Sequence, residues 1–237
     1  MKSFQRGWEE NMGRDANLLM GPEHVGMHGH MGGPNDTEAE TRERILLAAA
    51  SLFAGKGYAA TSVREIAESA RVTKPTLYYY FKNKEDLYVQ LLDHANSTFC
   101  QLVGSALSVP GGVRDRLLAF YSTVYGLFVE HLDVVRLIYS MFYGPPGAAP
   151  DYDFQRTNDH LEGLMHQVLQ EGVDAGELRE DNLEEASFML LGMLDSLSCL
   201  LVAQPQRPAL NVQDLGRLVD LVFDGACAVL RSKEGDR

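Results

Sequence analysis

Basic residues are scarce in this chain, and so is cysteine. Only 21 Lys and Arg stand against 33 Asp and Glu, giving a net charge of −12. That balance argues against a protein that coats nucleic acid through bulk charge. The three cysteines, Cys100, Cys199 and Cys227, are odd in number, far apart and never in a CxxC pair. Neither a disulfide framework nor a zinc ribbon is supported, and reduced thiols in a cytoplasmic protein fit best. No apolar run reaches the roughly 18 residues of a membrane span. The longest, Phe188 to Ala203, is broken by Gly192, Asp195, Ser196 and Ser198. Lys2 and Arg6 are not followed by an apolar stretch, so neither a signal peptide nor a membrane partner is expected. GxSxG, HExxH, the P-loop GK[ST] and GxGxxG are all missing. An enzyme is therefore not expected, and neither is a cofactor or a bound metal.

What is present is helical. With 45% hydrophobic residues in 237, the chain can bury a core without disulfides. Strand alternation never lasts beyond a few residues and there is no internal repeat, so an all-α protein of about nine helices is expected. Residues 1–36 carry no sustained periodicity and read as a disordered extension. His24, His28 and His30 alternate there with Met27 and Met31, a mixture of imidazole and thioether that suits a transition metal, although a flexible tail accounts for it more simply.

Punctuation sets in at Thr37. Thr37 with Glu40 spells a capping box, Ile45, Leu46, Ala49, Leu52 and Phe53 form one stripe, and Gly55 and Gly57 supply the stop. Ser62 with Glu65 spells a second capping box ahead of Val63, Ile66, Ala67 and Ala70. Thr73 caps a third helix with Pro75 in its first turn, and Asn83 with Asp86 opens a fourth running towards Leu107. Longer amphipathic segments follow over Val113 to Glu130, Leu132 to Phe142, Phe154 to Gly172, Leu183 to Val202 and Asn211 to Arg231, separated by SVPGG, YGPPGAAPDYD and other Gly/Pro-rich breaks.

Two short helices, Ser62–Ala70 and Lys74–Phe81, joined by Arg71-Val72-Thr73, make a helix-turn-helix. The second contains four consecutive rings, Tyr78, Tyr79, Tyr80 and Phe81. At about 100° per residue, Phe81 shares a face with Leu77 and turns inward, while Tyr78 and Tyr80 diverge to either side and Tyr79 points further out. The charge supports a DNA-facing surface. Residues 61–84 hold five basic side chains (Arg64, Arg71, Lys74, Lys82, Lys84) and two acidic ones, a local +3 that leaves −15 elsewhere. Lys74, Pro75 and Thr76, at the start of the second helix, suit base edges and thymine methyls. Thr61, Ser62, Tyr78, Tyr80 and Lys84 suit phosphate oxygens, Arg64 suits either, and Thr73 stands with Lys74, Pro75 and Thr76 at the DNA-binding start of the helix.

The stretch TSVREIAESARVTKPTLYYYFKNKEDL, preceded by ILLAAASLFAGKGYAA, resembles the DNA-binding domain of TetR/AcrR-type transcriptional regulators over about Thr41 to Leu91. Two departures stand out. Arg71 occupies a turn position where the family usually has glycine, and a left-handed backbone there would cost arginine roughly 1 kcal/mol. The long N-terminal extension has no counterpart in the family pattern.

The resemblance implies a homodimer with a helix-turn-helix domain, here residues 37–90, and a larger regulatory and dimerisation domain, here 91–237. It further implies a palindromic operator that is released when a small effector binds. A hydrophobic effector would lie among Phe120, Tyr121, Tyr125, Phe128, Tyr139, Phe142, His160 and Met165, although such a stripe is more commonly core. Leu191, Leu194, Leu218, Val222 and Val229 on the last two helices are candidates for a four-helix dimer interface, or for an intrachain core. Three readings stand at this point: a ligand-released repressor, an activator or constitutive regulator whose second domain only dimerises or binds a protein, and a helical enzyme or binding protein with a vestigial helix-turn-helix.

Overall fold

The computed structural model describes residues 37–144, 147–179 and 183–227, so the His/Met-containing stretch at 24–31 and Val229 lie outside the described residues. The described residues are all-α, with nine helices: α1 Glu38–Lys56, α2 Val63–Ser69, α3 Lys74–Tyr80, α4 Lys84–Leu107, α5 Val113–Glu130, α6 Leu132–Tyr143, α7 Gln155–Asp174, α8 Leu183–Ala203 and α9 Val212–Cys227. They group into two compact units. The first holds α1 to α3, α4 as far as Thr98, and residues 131–153 with α6. The second holds the end of α4 from Phe99, α5, and the chain from Phe154 onward. The N-terminal unit is thus larger than the segment 37–90, because α6 packs on α1 rather than joining the later helices.

Helix starts follow the capping chemistry. Thr37 accepts from the Glu40 amide while the Glu40 carboxylate accepts from the Thr37 amide at 2.6 Å. Ser62 and Glu65 form the same reciprocal pair at α2. Asn83 accepts from the Asp86 amide at 2.8 Å, and Asn211 from the Asp214 amide at 3.0 Å. Each cap satisfies donors that the helix itself leaves unpaired, and each contributes about 1 kcal/mol.

In the first unit the buried residues are Ile45, Leu46, Ala49 and Phe53 of α1, Ile66 and Ala67 of α2, Leu77 of α3, and Phe81, Leu87 and Leu92 beyond it, with α2 packed on both α1 and α3. Phe53, Tyr58 and Tyr88 form an aromatic cluster with centroids 5.0–5.5 Å apart. Tyr88 lies wholly inside it, and burial pushes its phenol up to about 12. Farther along the unit, the Tyr152 hydroxyl donates to Asp93 at 2.7 Å and accepts from Asn96 at 3.0 Å, which ties the segment after α6 to α4.

In the second unit a single core runs through Val103, Leu117, Phe120, Tyr121, Val124, Met165, Leu169, Leu190, Leu197 and Val219. Its breaks are closed by side chains. The Glu177 carboxylate accepts from the Val113 amide at 2.9 Å and so caps α5, while Arg116 donates to the Leu107 carbonyl at 2.6 Å and closes α4. Gly172 sits where a Cβ would come within 2.4 Å of Val113, so the end of α7 approaches the start of α5 more closely than any larger residue allows. By length and composition α8 is apolar enough to cross a membrane. One stripe of it, Leu190, Leu194 and Leu197, is buried in this core.

The Glu65 carboxylate that caps α2 also receives the Lys56 ammonium at 2.6 Å, and these bonds, Lys56 foremost and then Ser62, hold its pKa down at about 2. A depressed carboxyl stabilises the fold above its unfolded pKa, near 4.5, and loses that contribution as pH falls towards 2. Glu65→Gln keeps the capping geometry but removes the charge, so its stability should lie below that of the native chain at neutral pH and converge with it towards pH 2. An NMR titration of Glu65 in the folded protein with a midpoint at the ordinary glutamate value contradicts this.

Candidate nucleic-acid interface

The helix-turn-helix comprises α2 and α3, with Ser62 and Thr73 as N-caps and Val72 half-buried in the turn. Helix α3 has only seven residues and is held at its base. Leu77 is 0% exposed and Phe81 1%, and the Arg42 guanidinium lies 5.6 Å from the Phe81 ring centre. Phe81 follows the last helical residue as an extended C-cap, so the helix stops one residue earlier than its sequence suggests, yet the ring still reaches the core.

The other three rings separate as helical geometry expects. Tyr78 is 50% exposed and Tyr79 71%. Tyr80 is half-buried, its ring edge-on to Tyr79 at 5.0 Å and tilted against Phe81 at 6.3 Å. The Tyr79 hydroxyl donates to the Glu38 carboxylate at 3.3 Å, and that negative charge raises the phenol's pKa. This return contact to the first turn of α1 joins residues 41 apart, and no local pattern announces it.

Lys74 and Pro75 are exposed at the start of α3, with Thr76 half-buried behind them. The Thr73 and Thr76 hydroxyls lie 2.8 Å apart, while Thr73 also accepts from the Thr76 amide at 3.2 Å. One hydroxyl proton of this pair is spent internally. Ser62 is exposed, but its hydroxyl lies 2.9 Å from the Glu65 carboxylate, which it serves as donor. Arg64 is exposed and paired with Glu68 at 2.7 Å, which neutralises its charge locally.

Two residues expected at the surface are occupied elsewhere. Thr61 is buried, and its hydroxyl points inward at the Gly57 carbonyl, 2.9 Å away, and the Leu52 carbonyl, 3.2 Å away. Its side chain fixes the loop between α1 and α2 and does not reach outward, because that loop must satisfy its own buried carbonyls. Lys84 is half-buried. Its ammonium donates to the Tyr58 carbonyl at 2.9 Å and the Thr61 carbonyl at 3.0 Å and lies 4.1 Å from the Tyr58 ring centre. One of its three protons remains for an outside partner.

The residues expected around an effector do not form one cluster. Phe120, Tyr121, Tyr125 and Met165 are buried in the core of the second unit, and Phe128 is half-buried and stacked on Phe99 at 6.3 Å. The Tyr121 hydroxyl donates to the Leu190 carbonyl at 2.6 Å, and the Tyr125 hydroxyl accepts from the Leu210 amide at 3.1 Å. Tyr139 and Phe142 lie on α6 in the first unit, Phe142 is exposed, and His160 is exposed on α7. Among the described residues no group of three or more His, Cys, Asp or Glu side chains is placed to hold a metal.

A capped α2, a turn and a seven-residue α3 that exposes Lys74, Pro75 and Tyr78 from an otherwise acidic chain define a DNA-binding protein of the helix-turn-helix class. Residues 45–91 match the family described as bacterial regulatory proteins of the tetR family. The repressor KstR2 of Mycolicibacterium smegmatis is 30% identical over 148 residues, covering 60% of this chain and 70% of KstR2. The structure of the TetR-family regulator PfmR from Thermus thermophilus superposes with a TM-score of 0.61 at 26% identity, over 76% of this chain and 97% of PfmR. That of FadR from Bacillus subtilis in complex with stearoyl-CoA gives 0.62 at 23% identity, over 77% of this chain and 97% of FadR. The chain belongs to the TetR family of transcriptional regulators; it is a DNA-binding regulator and not an enzyme.

Replacing Lys74 by Ala should lower discrimination between an operator selected from a random-sequence library and mixed-sequence duplex by about tenfold or more, the worth of a good base contact. Binding to the mixed duplex should change less. Unchanged discrimination removes Lys74 from base reading.

Proposed function

We propose that the protein is a cytoplasmic homodimeric repressor that holds a palindromic operator and releases it when a small hydrophobic effector binds the C-terminal unit. The observation that carries the dimer is the outward side of α8 and α9. Phe188 is 80% exposed, Met189 56% and Leu221 72%, on helices whose opposite stripes are already buried. Phe188, Gly192, Ser196 and Cys199 follow one another around α8 at helical spacing, all exposed, so a partner helix can approach closely along the small residues. Of the interface residues expected from sequence, Leu194 is buried in the unit's own core, and Leu191, Leu218 and Val222 are half-buried. The interface is better assigned to Phe188, Met189 and Leu221, with the half-buried residues at its base. Two recognition helices are needed to read half-sites about 34–36 Å apart, which is why a regulator of this kind works as a pair.

Release follows from linkage. An effector that binds better to the state with unmatched recognition helices weakens DNA binding by its preference for that state. The aromatic core around Phe120, Tyr121 and Tyr125 favours an apolar effector, and the stearoyl-CoA carried by FadR supports the same class.

Phe188→Glu combined with Leu221→Glu places charges on the exposed face alone, so the variant should fold, sediment as a monomer and lose operator affinity. A variant that remains dimeric sinks this interface. Thermal-shift screening against long-chain apolar compounds should raise the melting temperature of the native protein and lower operator affinity in parallel. Compounds that stabilise the fold and leave operator binding unchanged contradict the release mechanism.

A further inference from the structure

Helix α5 is enclosed on every side along its middle. From Leu117 to Tyr125 no residue is exposed, and all but Leu118 and Thr123 are buried. A helix buried all round is ordinarily apolar all round. Tyr121 and Tyr125 depart from that rule and are accommodated, since the Tyr121 hydroxyl donates to the Leu190 carbonyl and the Tyr125 hydroxyl accepts from the Leu210 amide. Ser122, 1% exposed, departs from it and is not. In the second unit its Oγ is the single buried side-chain polar atom without a hydrogen-bond partner among the described residues.

Other hydroxyls in this chain turn back on their own helix. Thr98, Ser105 and Ser196 donate to the carbonyl four residues before them at 2.9–3.0 Å, and Ser198 donates to the Asp195 carbonyl at 2.8 Å. Thr61, Thr98 and Ser198, the other polar residues in the buried class, are all paired with carbonyls. A hydroxyl left unpaired in a core costs about 1–3 kcal/mol, a cost that alanine would not carry. It is also the group that an entering ligand can satisfy. The charges decide what kind of ligand. No charged side chain is in the buried class among the described residues. The two arginines of α5 are engaged, Arg114 by Asp220 and Arg116 by Glu171 and the Leu107 carbonyl. An ionised head group would enter this core without a counter-charge, which is costly, whereas a neutral oxygen can accept from a serine hydroxyl without that penalty.

We propose that Ser122 is the polar contact of the effector site, and that the effector is an apolar compound with a neutral carbonyl (ketone, ester or amide) whose oxygen accepts from Ser122 Oγ. This rests on the reading that the C-terminal unit binds a hydrophobic effector. Apolar side chains of the core, Phe120 and Met165 among them, supply binding through burial, and Ser122 supplies orientation and selectivity. A site built to hydrogen-bond its ligand discriminates against the analogue that lacks the matching group.

The test uses the full chain, native and Ser122→Ala, with methyl nonyl ketone, undecane and undecanoate, each delivered from cyclodextrin and followed by thermal shift and titration calorimetry. Without ligand, Ser122→Ala should melt no lower than the native protein, because it loses an unpaired buried hydroxyl and the desolvation cost that goes with it. It should bind the ketone about five- to tenfold more weakly, the worth of one hydrogen bond, and bind undecane as the native protein does. The native protein should prefer the ketone to undecanoate. An unchanged ketone affinity in Ser122→Ala overturns the proposal. So does a clear fall in its unliganded melting temperature, which would give the hydroxyl a partner within the fold, an internal water included. Tighter binding of undecanoate than of the ketone overturns the neutral class. If Ser122→Ala binds the ketone as the native protein does and the ketone still lowers operator affinity, only Ser122 is misassigned. If none of the three compounds shifts the native protein, the hydrophobic-effector reading fails and takes Ser122 with it.

Discussion

A seven-residue helix has no stability of its own, because nucleation costs more than two turns of hydrogen bonds return. Helix α3 exists here because Leu77 and Phe81 are buried at its base and Thr73 caps its start. That anchorage is the constraint on which the exposed surface of the helix-turn-helix depends. With Leu77 and Phe81 fixed inward, the 100° rotation per residue leaves Tyr78 and Tyr79 no place but the surface and puts Tyr80 at the edge. Pro75, about 200° from Leu77, is carried outward by the same rotation, and Lys74 is exposed as the first residue of the helix.

The surrounding shell serves this helix. Thr61 and Lys84 look like surface groups in sequence, but they bind the loop between α1 and α2 through the carbonyls of Leu52, Gly57, Tyr58 and Thr61. Lys84 thereby joins the start of α4 to the loop that precedes α2, and its ammonium lies over the ring of Tyr58, a member of the aromatic cluster. Tyr79 reaches back to Glu38. The rigidity around α3 thus comes partly from polar side chains that bond within the unit.

In the second unit the same residues cannot serve both as packed core and as open pocket in a single state. Phe120, Tyr121 and Met165 are fully buried, and the Tyr121 hydroxyl already has a carbonyl partner. An effector of the proposed kind would have to displace packing, which would couple its binding to a change of state. On α8 the inward stripe Leu190, Leu194 and Leu197 and the outward Phe188 belong to one apolar run. Composition alone shows that the helix is hydrophobic on more than one side, but not which side meets its own core.

The sequence by itself determined the helices, their caps, the helix-turn-helix and the family, because capping boxes, proline and glycine positions and apolar spacing act over three or four residues. It also identified Arg71 as a departure from glycine, and the structure places it left-handed at φ 55°, where the Arg71 and Val72 amides close α2 onto the Glu68 and Ala67 carbonyls. Only the tertiary structure decided that Thr61 faces inward, that Lys84 is largely engaged, that Leu194 is core and that α6 joins the N-terminal unit. Each of these depends on a partner distant in the chain or on which of two apolar faces finds the core first. Local patterns carry no information about that choice; burial and hydrogen-bond satisfaction across the whole unit make it.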